Sequence, residues 1–332
     1  MVYLDIITGF LGSGKTTLIN RLLADAYQGE KPILIENEFG DVGIDDQLIA
    51  DPDIQVRMLA SGCVCCTLKG DFISGIREVV DQYAPARIVI EPTGLADPQD
   101  ILQACEEATQ AVPAEINTFV TIANARNLQS LLAVGGDIFQ KQIAGARLLL
   151  LNRTDLLSPE KLAKARTLIK EINPDCLILE EGVEPLDALR ILALAEESTK
   201  QLRELQLHEA HGGGAHEEGA HEAHHHHDGS HHHHDHHHHE ESSFGAVASS
   251  VFYPERTFST REIEELYAVF SKGDFGQILR AKGFLKTDAG GYTQIQYVYE
   301  QGETRDTPYT GSPKLVIIGS CLDKQALIQC LT

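Results

Sequence analysis

Residues 9–16 read Gly-Phe-Leu-Gly-Ser-Gly-Lys-Thr, and no other stretch restricts the fold of this chain as much. The spacing Gly-x-x-x-x-Gly-Lys-Thr lets the backbone curl at Gly9, Gly12 and Gly14 until successive N–H groups converge, which is how a loop cradles phosphate oxygens. Such a loop needs a strand ending beneath it and a helix starting from it. Val2 to Ile7 is a short apolar, β-rich run, and Leu18, Ile19, Leu22, Leu23 and Ala26 fall on one face of a helix. In that setting Lys15 reaches the β- and γ-phosphates, the Thr16 hydroxyl ligates Mg²⁺, and Ser13 and Thr17 complete the cradle.

Further apolar runs follow at Pro32–Ile35, Ile54–Leu59, Arg87–Ile90, Thr118–Ile122, Leu148–Leu151 and Cys176–Leu179, separated by helical stretches. Short strands alternating with amphipathic helices predict an α/β fold with a mainly parallel sheet, a P-loop NTPase-type domain over residues 1–200. Ligands collect outside the carboxyl ends of such strands. The phosphate loop, the polar loop Glu36–Asp45, the segment Cys63-Val64-Cys65-Cys66 and the loop from Glu91 each follow a predicted strand, so all are expected on one rim.

From about Gln201 to Gly245 the composition turns to His, Glu, Asp, Gly and Ala, with nine acids against one arginine. This is expected to be a mobile linker, since it has too little apolar surface to offset its ordering entropy. Structure resumes over residues 246–332 as a small α+β domain. It has a strand at Val247–Tyr253, a helix capped by Ser259 with Glu262, strands at Gln277–Lys286 and Tyr292–Gln301, another at Leu315–Ile318, and a last helix capped by Asp323.

The net charge of -22 argues against a broad electrostatic surface for nucleic acid or anionic membrane. No apolar run is long enough to span a bilayer. Because the first strand feeds directly into the phosphate loop, no signal peptide is expected and the protein is placed in the cytoplasm.

The strand Leu148–Leu151 ends in Asn152-Arg153-Thr154-Asp155. A carboxylate at Asp155 can accept from the ring N–H and the exocyclic amino group of guanine, whereas adenine presents an acceptor at the ring position. Mismatch would leave a buried charge unpaired, so the pattern points to GTP. Cys63, Cys65 and Cys66 offer three thiolates within four residues. Thiolates suit Zn²⁺ and also copper(I) or Co²⁺, with one oxygen or nitrogen ligand to complete a tetrahedron. Glu36, Glu38 and Asp41 are all candidates for that ligand. All 16 histidines lie between His208 and His239, interleaved with acids, a composition suited to weak, exchangeable capture of zinc, nickel, cobalt or copper.

Together the run Gly9-Phe-Leu-Gly-Ser-Gly-Lys-Thr-Thr-Leu, the loop Glu36-Asn-Glu-Phe-Gly, Gly62-Cys-Val-Cys-Cys-Thr, Glu91-Pro-Thr-Gly-Leu-Ala-Asp-Pro and Asn152-Arg-Thr-Asp resemble the CobW family of P-loop GTPases. Arg280-Ala-Lys-Gly-Phe looks like that family's C-terminal domain. The resemblance implies GTP binding with slow hydrolysis, metal at the Cys-x-Cys-Cys motif, and a role as a metallochaperone delivering zinc, cobalt or a related ion such as Ni²⁺ to a client protein. Where the family has Asn-Lys-x-Asp, this chain has Arg153, so guanine recognition through Asp155 is expected with altered affinity. The chain also resembles the bacterial-type members that lack an N-terminal client-docking extension. Lys15, Thr16 and Glu91, the last in a Walker-B-like place, are the expected catalytic set. Gly94 would sense the γ-phosphate through its backbone, and the Glu36 and Glu91 loops would act as switches. A P-loop kinase acting on a small molecule and a metal store with a degenerate GTPase domain are the rival readings. Asp155 and the cysteines weigh against the first, and the intact Lys15 and Thr16 against the second.

Overall fold

Seven apolar runs pair side by side into one sheet: β1 (Val2–Gly9), β2 (Ile33–Glu36), β3 (Gln55–Met58), β4 (Arg87–Glu91), β5 (Ala114–Asn124), β6 (Leu148–Asn152) and β7 (Leu177–Leu179). Their order is β3-β2-β4-β1-β5-β6-β7, and every neighbouring pair is parallel. A computed structural model describes residues 1–36, 55–58, 69–134, 137–183, 187–212 and 247–332. Helices cover both faces, as a parallel sheet requires: α1 (Lys15–Arg21), α2 (Lys69–Tyr83), α3 (Pro98–Thr109), α4 (Leu128–Val134), α5 (Asp137–Ala144), α6 (Pro159–Ile172) and α7 (Ala188–Gly212).

The period of two assigns each side chain to a face. Leu4, Ile6, Ile33, Ile35, Ile88 and Ile90 pack with Phe72, Ile76 and Ile101 of α2 and α3. The intervening Ile7, Leu34 and Val89 pack with Leu18 and Leu22 on the α1 side and with Ile191 of α7.

One buried strand carboxylate stands at the centre of a polar cluster. Asp5 is fully buried and takes four donors: Arg87 Nη1 at 2.5 Å, Tyr27 Oη at 2.7 Å, and Asn117 Nδ2 and Thr118 Oγ1 at 2.9 Å each. The helix after the phosphate loop delivers Tyr27. α1 continues into a π-helical turn, Leu22–Ala26, which closes with Tyr27 N donating to Leu22 O. The Arg87 guanidinium lies 4.4 Å from the Tyr27 ring centroid and donates to Glu30 at 2.7 Å. Burial, then the neighbouring Asp5, pushes the Tyr27 phenol upward, so it stays a donor.

The second domain consists of β8 (Val247–Phe252), α8 (Thr260–Lys272), β9 (Gln277–Lys286), β10 (Tyr292–Val298), β11 (Gln301–Thr307), β12 (Lys314–Ser320) and α9 (Lys324–Leu331). Its sheet runs β11-β10-β9-β12-β8, with every pair antiparallel. The expected caps are present: Ser259 and Glu262 form a reciprocal capping box, and Asp323 accepts from Gln325 N and Ala326 N.

Two expectations need correction. The chain expected to be one strand over Tyr292–Gln301 turns at Tyr299-Glu300, both with positive φ, and pairs back as β11. Its sequence, Gln-Gly-Glu-Thr-Arg-Asp-Thr, has no apolar alternation because it forms a sheet edge. The boundary expected at residue 201 is crossed by α7, which runs on to Gly212. Its last turns are rich in Leu, Glu, Gln and Arg, all good helix formers, with no glycine before the end. His208 and His211 therefore lie on helix, and the rest of the histidine tract lies outside the described residues.

Replacing Arg87 by Met should leave Asp5 buried without its cation and destabilise the protein by about 3–5 kcal/mol in chemical denaturation. The double variant Asp5→Asn/Arg87→Met should recover most of that loss.

Candidate functional site

β1 stops at Gly9, and α1 starts at Lys15 with Gly14 as its cap in the left-handed region, φ 111 and ψ 22. A Cβ on Gly14 would sit 2.5 Å from Asn152 Nδ2, so the position excludes any side chain. The amide is held there by hydrogen bonds: Asn152 Nδ2 donates to Ser13 O at 2.9 Å, and its Oδ1 accepts from Val183 N at 3.0 Å and Arg153 N at 2.9 Å. Asn152 ties the phosphate loop to the ends of two other strands. The loop is also anchored from below by Phe10 and Leu11, both buried, Phe10 edge-on to Phe139. The Ser13 Oγ is buried with no hydrogen-bond partner among the described residues.

Lys15 folds back over the loop, with Nζ donating to Gly9 O at 3.4 Å and Phe10 O at 3.3 Å and lying 3.9 Å from Glu91 Oε1. Thr16 Oγ1 lies 3.4 Å from both Glu91 oxygens. The sheet thus brings Thr16 and Glu91 together across 75 residues. These are hard oxygen donors of the type Mg²⁺ selects. Glu36 is the register partner of Glu91, is buried, and lines the same cleft, as do Gly12, Thr17 and Gly94. Gln142 of α5 donates to Gly94 O at 2.9 Å and Ala96 O at 3.2 Å, holding the loop after β4. The lone polar residue on the buried face of α5 was the sequence signal for it, beside Phe139 and Ile143.

The far wall comes from the second domain. Arg280, Lys282, Gln296, Arg305 and Ile318 face the phosphate loop across a cavity of about 290 Å³. Lys15, Arg153, Arg280, Lys282 and Arg305 against Glu36 and Glu91 make the lining cationic in a chain of net charge -22. Sequence reading alone did not single out these strand residues as site residues, because basic side chains alternating with apolar ones read as the outer face of a sheet. Arg153, with φ 58, reaches across the domain boundary, and its Nη1 donates to Glu303 Oε1 at 3.0 Å. Asp155 sits in the short 3-10 turn after β6, is exposed, and makes no hydrogen bond or ion pair among the described residues. It does not line the phosphate cleft.

Glu38, Asp41, Cys63, Cys65 and Cys66 lie outside the described residues. The strands that lead to them end on the expected rim, with Met58 the register partner of Glu36. Among the described residues no group of three or more His, Cys, Asp or Glu gathers as a metal site, and no helix is long and apolar enough to cross a membrane.

Residues 3–180 match the family described as CobW/HypB/UreG, nucleotide-binding domain, and residues 247–332 match the Cobalamin synthesis protein cobW C-terminal domain. Zinc chaperone YeiR of Escherichia coli is 36% identical over 160 residues, 48% of this chain and 49% of YeiR. Zinc-regulated GTPase metalloprotein activator 1 of Schizosaccharomyces pombe is 33% identical over 214 residues, 60% of this chain and 52% of that protein. The matched stretch thus spans about half the length of these two relatives. The crystal structure of Zn(II)-bound YjiA GTPase from E. coli aligns with 99% of this chain and 97% of that one, at 22% identity and a TM-score of 0.42, too loose a likeness to bear on the site.

The hydrogen bond from Arg153, reinforced by Arg305, holds the Glu303 carboxyl below its ordinary range against the opposing effect of burial. A lowered folded pKa means the tie contributes stability above the ordinary carboxylate pKa and loses it as pH falls through the folded value. Glu303→Gln should therefore cost less than about 1 kcal/mol at neutral pH, both partners being about a third or more exposed. In pH-resolved denaturation the difference from wild type should fade below about pH 4.

Proposed function

Because the chain belongs to the CobW/HypB/UreG nucleotide-binding family, we propose that it binds GTP, hydrolyses it slowly to GDP and phosphate, and uses that cycle to control a transition metal. The metal is zinc by preference, held at Cys63, Cys65 and Cys66 and delivered to a client protein. The observation that carries the nucleotide half is the cationic cleft built on the phosphate loop, with Lys15, Thr16 and Glu91 converging on it.

The first N–H groups of α1 have no partner within the helix and point their partial positive charge at the cleft, so a phosphate is the complementary ligand. Lys15 stabilises charge on the transferring phosphoryl group. Thr16 and Glu91 would hold Mg²⁺, directly or through water, and the bound cation would supply charge neutralisation for the phosphate. Asp155 accepts from the guanine edge, while Asn152 acts through the loop it braces. Gln142 Nε2 donates to the Gly94 and Ala96 carbonyls, so it positions that loop. Among the described residues no side chain is placed to order the attacking water, which fits slow hydrolysis unless the Glu36–Asp45 loop supplies one.

The metal half is supported by connectivity. Met58, Glu36 and Glu91 are successive register partners across the rim. Strands are spaced by about 4.8 Å, which puts Met58 roughly 10 Å from Glu91. Cys63 follows Met58 by five residues, a tether of at most about 17 Å, so the thiolates are within reach of the nucleotide loops. The relatives named zinc chaperones support zinc over cobalt or nickel. A second reading, metal buffering, is favoured by the 16 clustered histidines, and it makes the tract a feeder for the cysteine site.

Two measurements test this. Binding and phosphate release with GTP against ATP should show a GTP preference of roughly 100-fold or more, and Lys15→Ala should lower hydrolysis by about 10²–10³-fold. Asp155→Asn should erode the guanine preference while leaving the fold intact. Equal use of ATP, or phosphorylation of a small-molecule acceptor, would overturn the assignment. Zinc titration of a Cys63/Cys65/Cys66→Ser variant should show loss of the tight component and retention of the weak one.

A further inference from the structure

In β9, Ile278, Ala281 and Leu285 pack into the core of the second domain. Strict alternation would then send Arg280 and Leu279 to opposite sides. They lie on one side instead, because the pairing with β12 skips a residue: Ile318 is the partner of Arg280 and Gly319 the partner of Ile278. A bulge of this kind re-aims side chains, commonly beside active sites. Here it turns Leu279 into a peg against Leu11 and Leu95 and sets the next residue, Arg280, over the cleft.

The distance between this strand and the phosphate loop is fixed by contact. A Cβ on Gly12 would come within 2.6 Å of Val298 Cγ2, so the crest of the loop rests on β10. Leu95, which touches the Leu279 peg, directly follows Gly94. Arg280 therefore stands at the Glu91–Gly94 end of the cleft. Lys282, buried on the same face, has Gln296 as its partner, and Gln296 is in turn partnered by Glu303, so it stands toward Arg153.

We propose that Arg280 binds the terminal phosphate of the bound nucleotide in cis, with Lys282 beside it on the triphosphate, so that the second domain completes the phosphate site. This rests on the nucleotide-triphosphate reading given above and goes beyond it by assigning the γ-phosphate a partner outside the GTPase domain. The chemistry is favourable: a guanidinium forks onto phosphate oxygens, and an acidic chain concentrates cations at this cleft. Loss of the terminal phosphate would remove the anion that both domains hold.

The test is the affinity of full-length wild type, Arg280→Ala, Arg280→Lys, Lys282→Met and the surface control Arg261→Ala for a fluorescent non-hydrolysable GTP analogue and for the matching GDP. Arg280→Ala should weaken the GTP analogue roughly 10- to 100-fold and GDP less than about threefold. Arg280→Lys should recover part of the loss, Lys282→Met should weaken the GTP analogue more than GDP, and Arg261→Ala should match wild type. If wild type binds neither nucleotide, the underlying functional reading fails, and this assignment with it. If wild type binds both and Arg280→Ala binds the GTP analogue normally, or loses GDP equally, the assignment to the terminal phosphate is overturned while the functional reading stands.

Discussion

The hydrogen bonds of one side-chain amide hold the phosphate loop in shape. Asn152 donates to Ser13 O and accepts from Val183 N, and there is room for it only because residue 14 has no Cβ. Glycine 14 is thus required twice, by its left-handed backbone and by the amide pressed against it. From the braced loop follow the start of α1, the placement of Lys15 and Thr16, and their approach to Glu91. The same clasp reaches the strand end that carries Arg153 and Asp155, so the phosphate loop and the turn proposed to meet the guanine share one support. Arg21, whose guanidinium donates to Val183 O, ties the far side of that support to α1.

Stability and chemistry occupy opposite ends of the parallel sheet. Near the amino ends of the strands, Asp5, Arg87 and Tyr27 form a closed, buried set with every polar group matched. At the carboxyl ends, cationic and acidic side chains line an open cleft. The apolar joint of Leu11, Leu95, Leu279 and Ile318 then makes the second domain a wall of that cleft. A nucleotide held there would contact both domains.

Much of the first domain was legible because buried parallel strands read as short apolar runs: all seven strands stand where the runs predict, within a few residues at their ends. The pairing of Thr16 with Glu91 was legible through a general rule, since strand ends of a parallel sheet share one rim. β11 was hidden because an edge strand has no buried face to impose a pattern, and its turn uses Tyr299-Glu300 where Asn-Gly would have announced it. Arg280 and Lys282 were hidden for another reason: their meaning depends on a bulge and on which face meets the other domain, neither of which is local in sequence. Gln142 was visible as an oddity on an apolar helix face, without any hint that it held the Gly94 carbonyl.

In the proposed cycle, nucleotide state and metal affinity are coupled, the metal being held by the cysteines that follow β3 and the nucleotide by the Glu36 and Glu91 rim. The most direct measurement is the Zn²⁺ affinity of the full chain saturated with a non-hydrolysable GTP analogue, compared with the same chain saturated with GDP. Coupling of the usual size predicts a difference of roughly 5- to 150-fold, with the GTP-bound form holding the metal more tightly. Equal affinities in the two states would contradict the account.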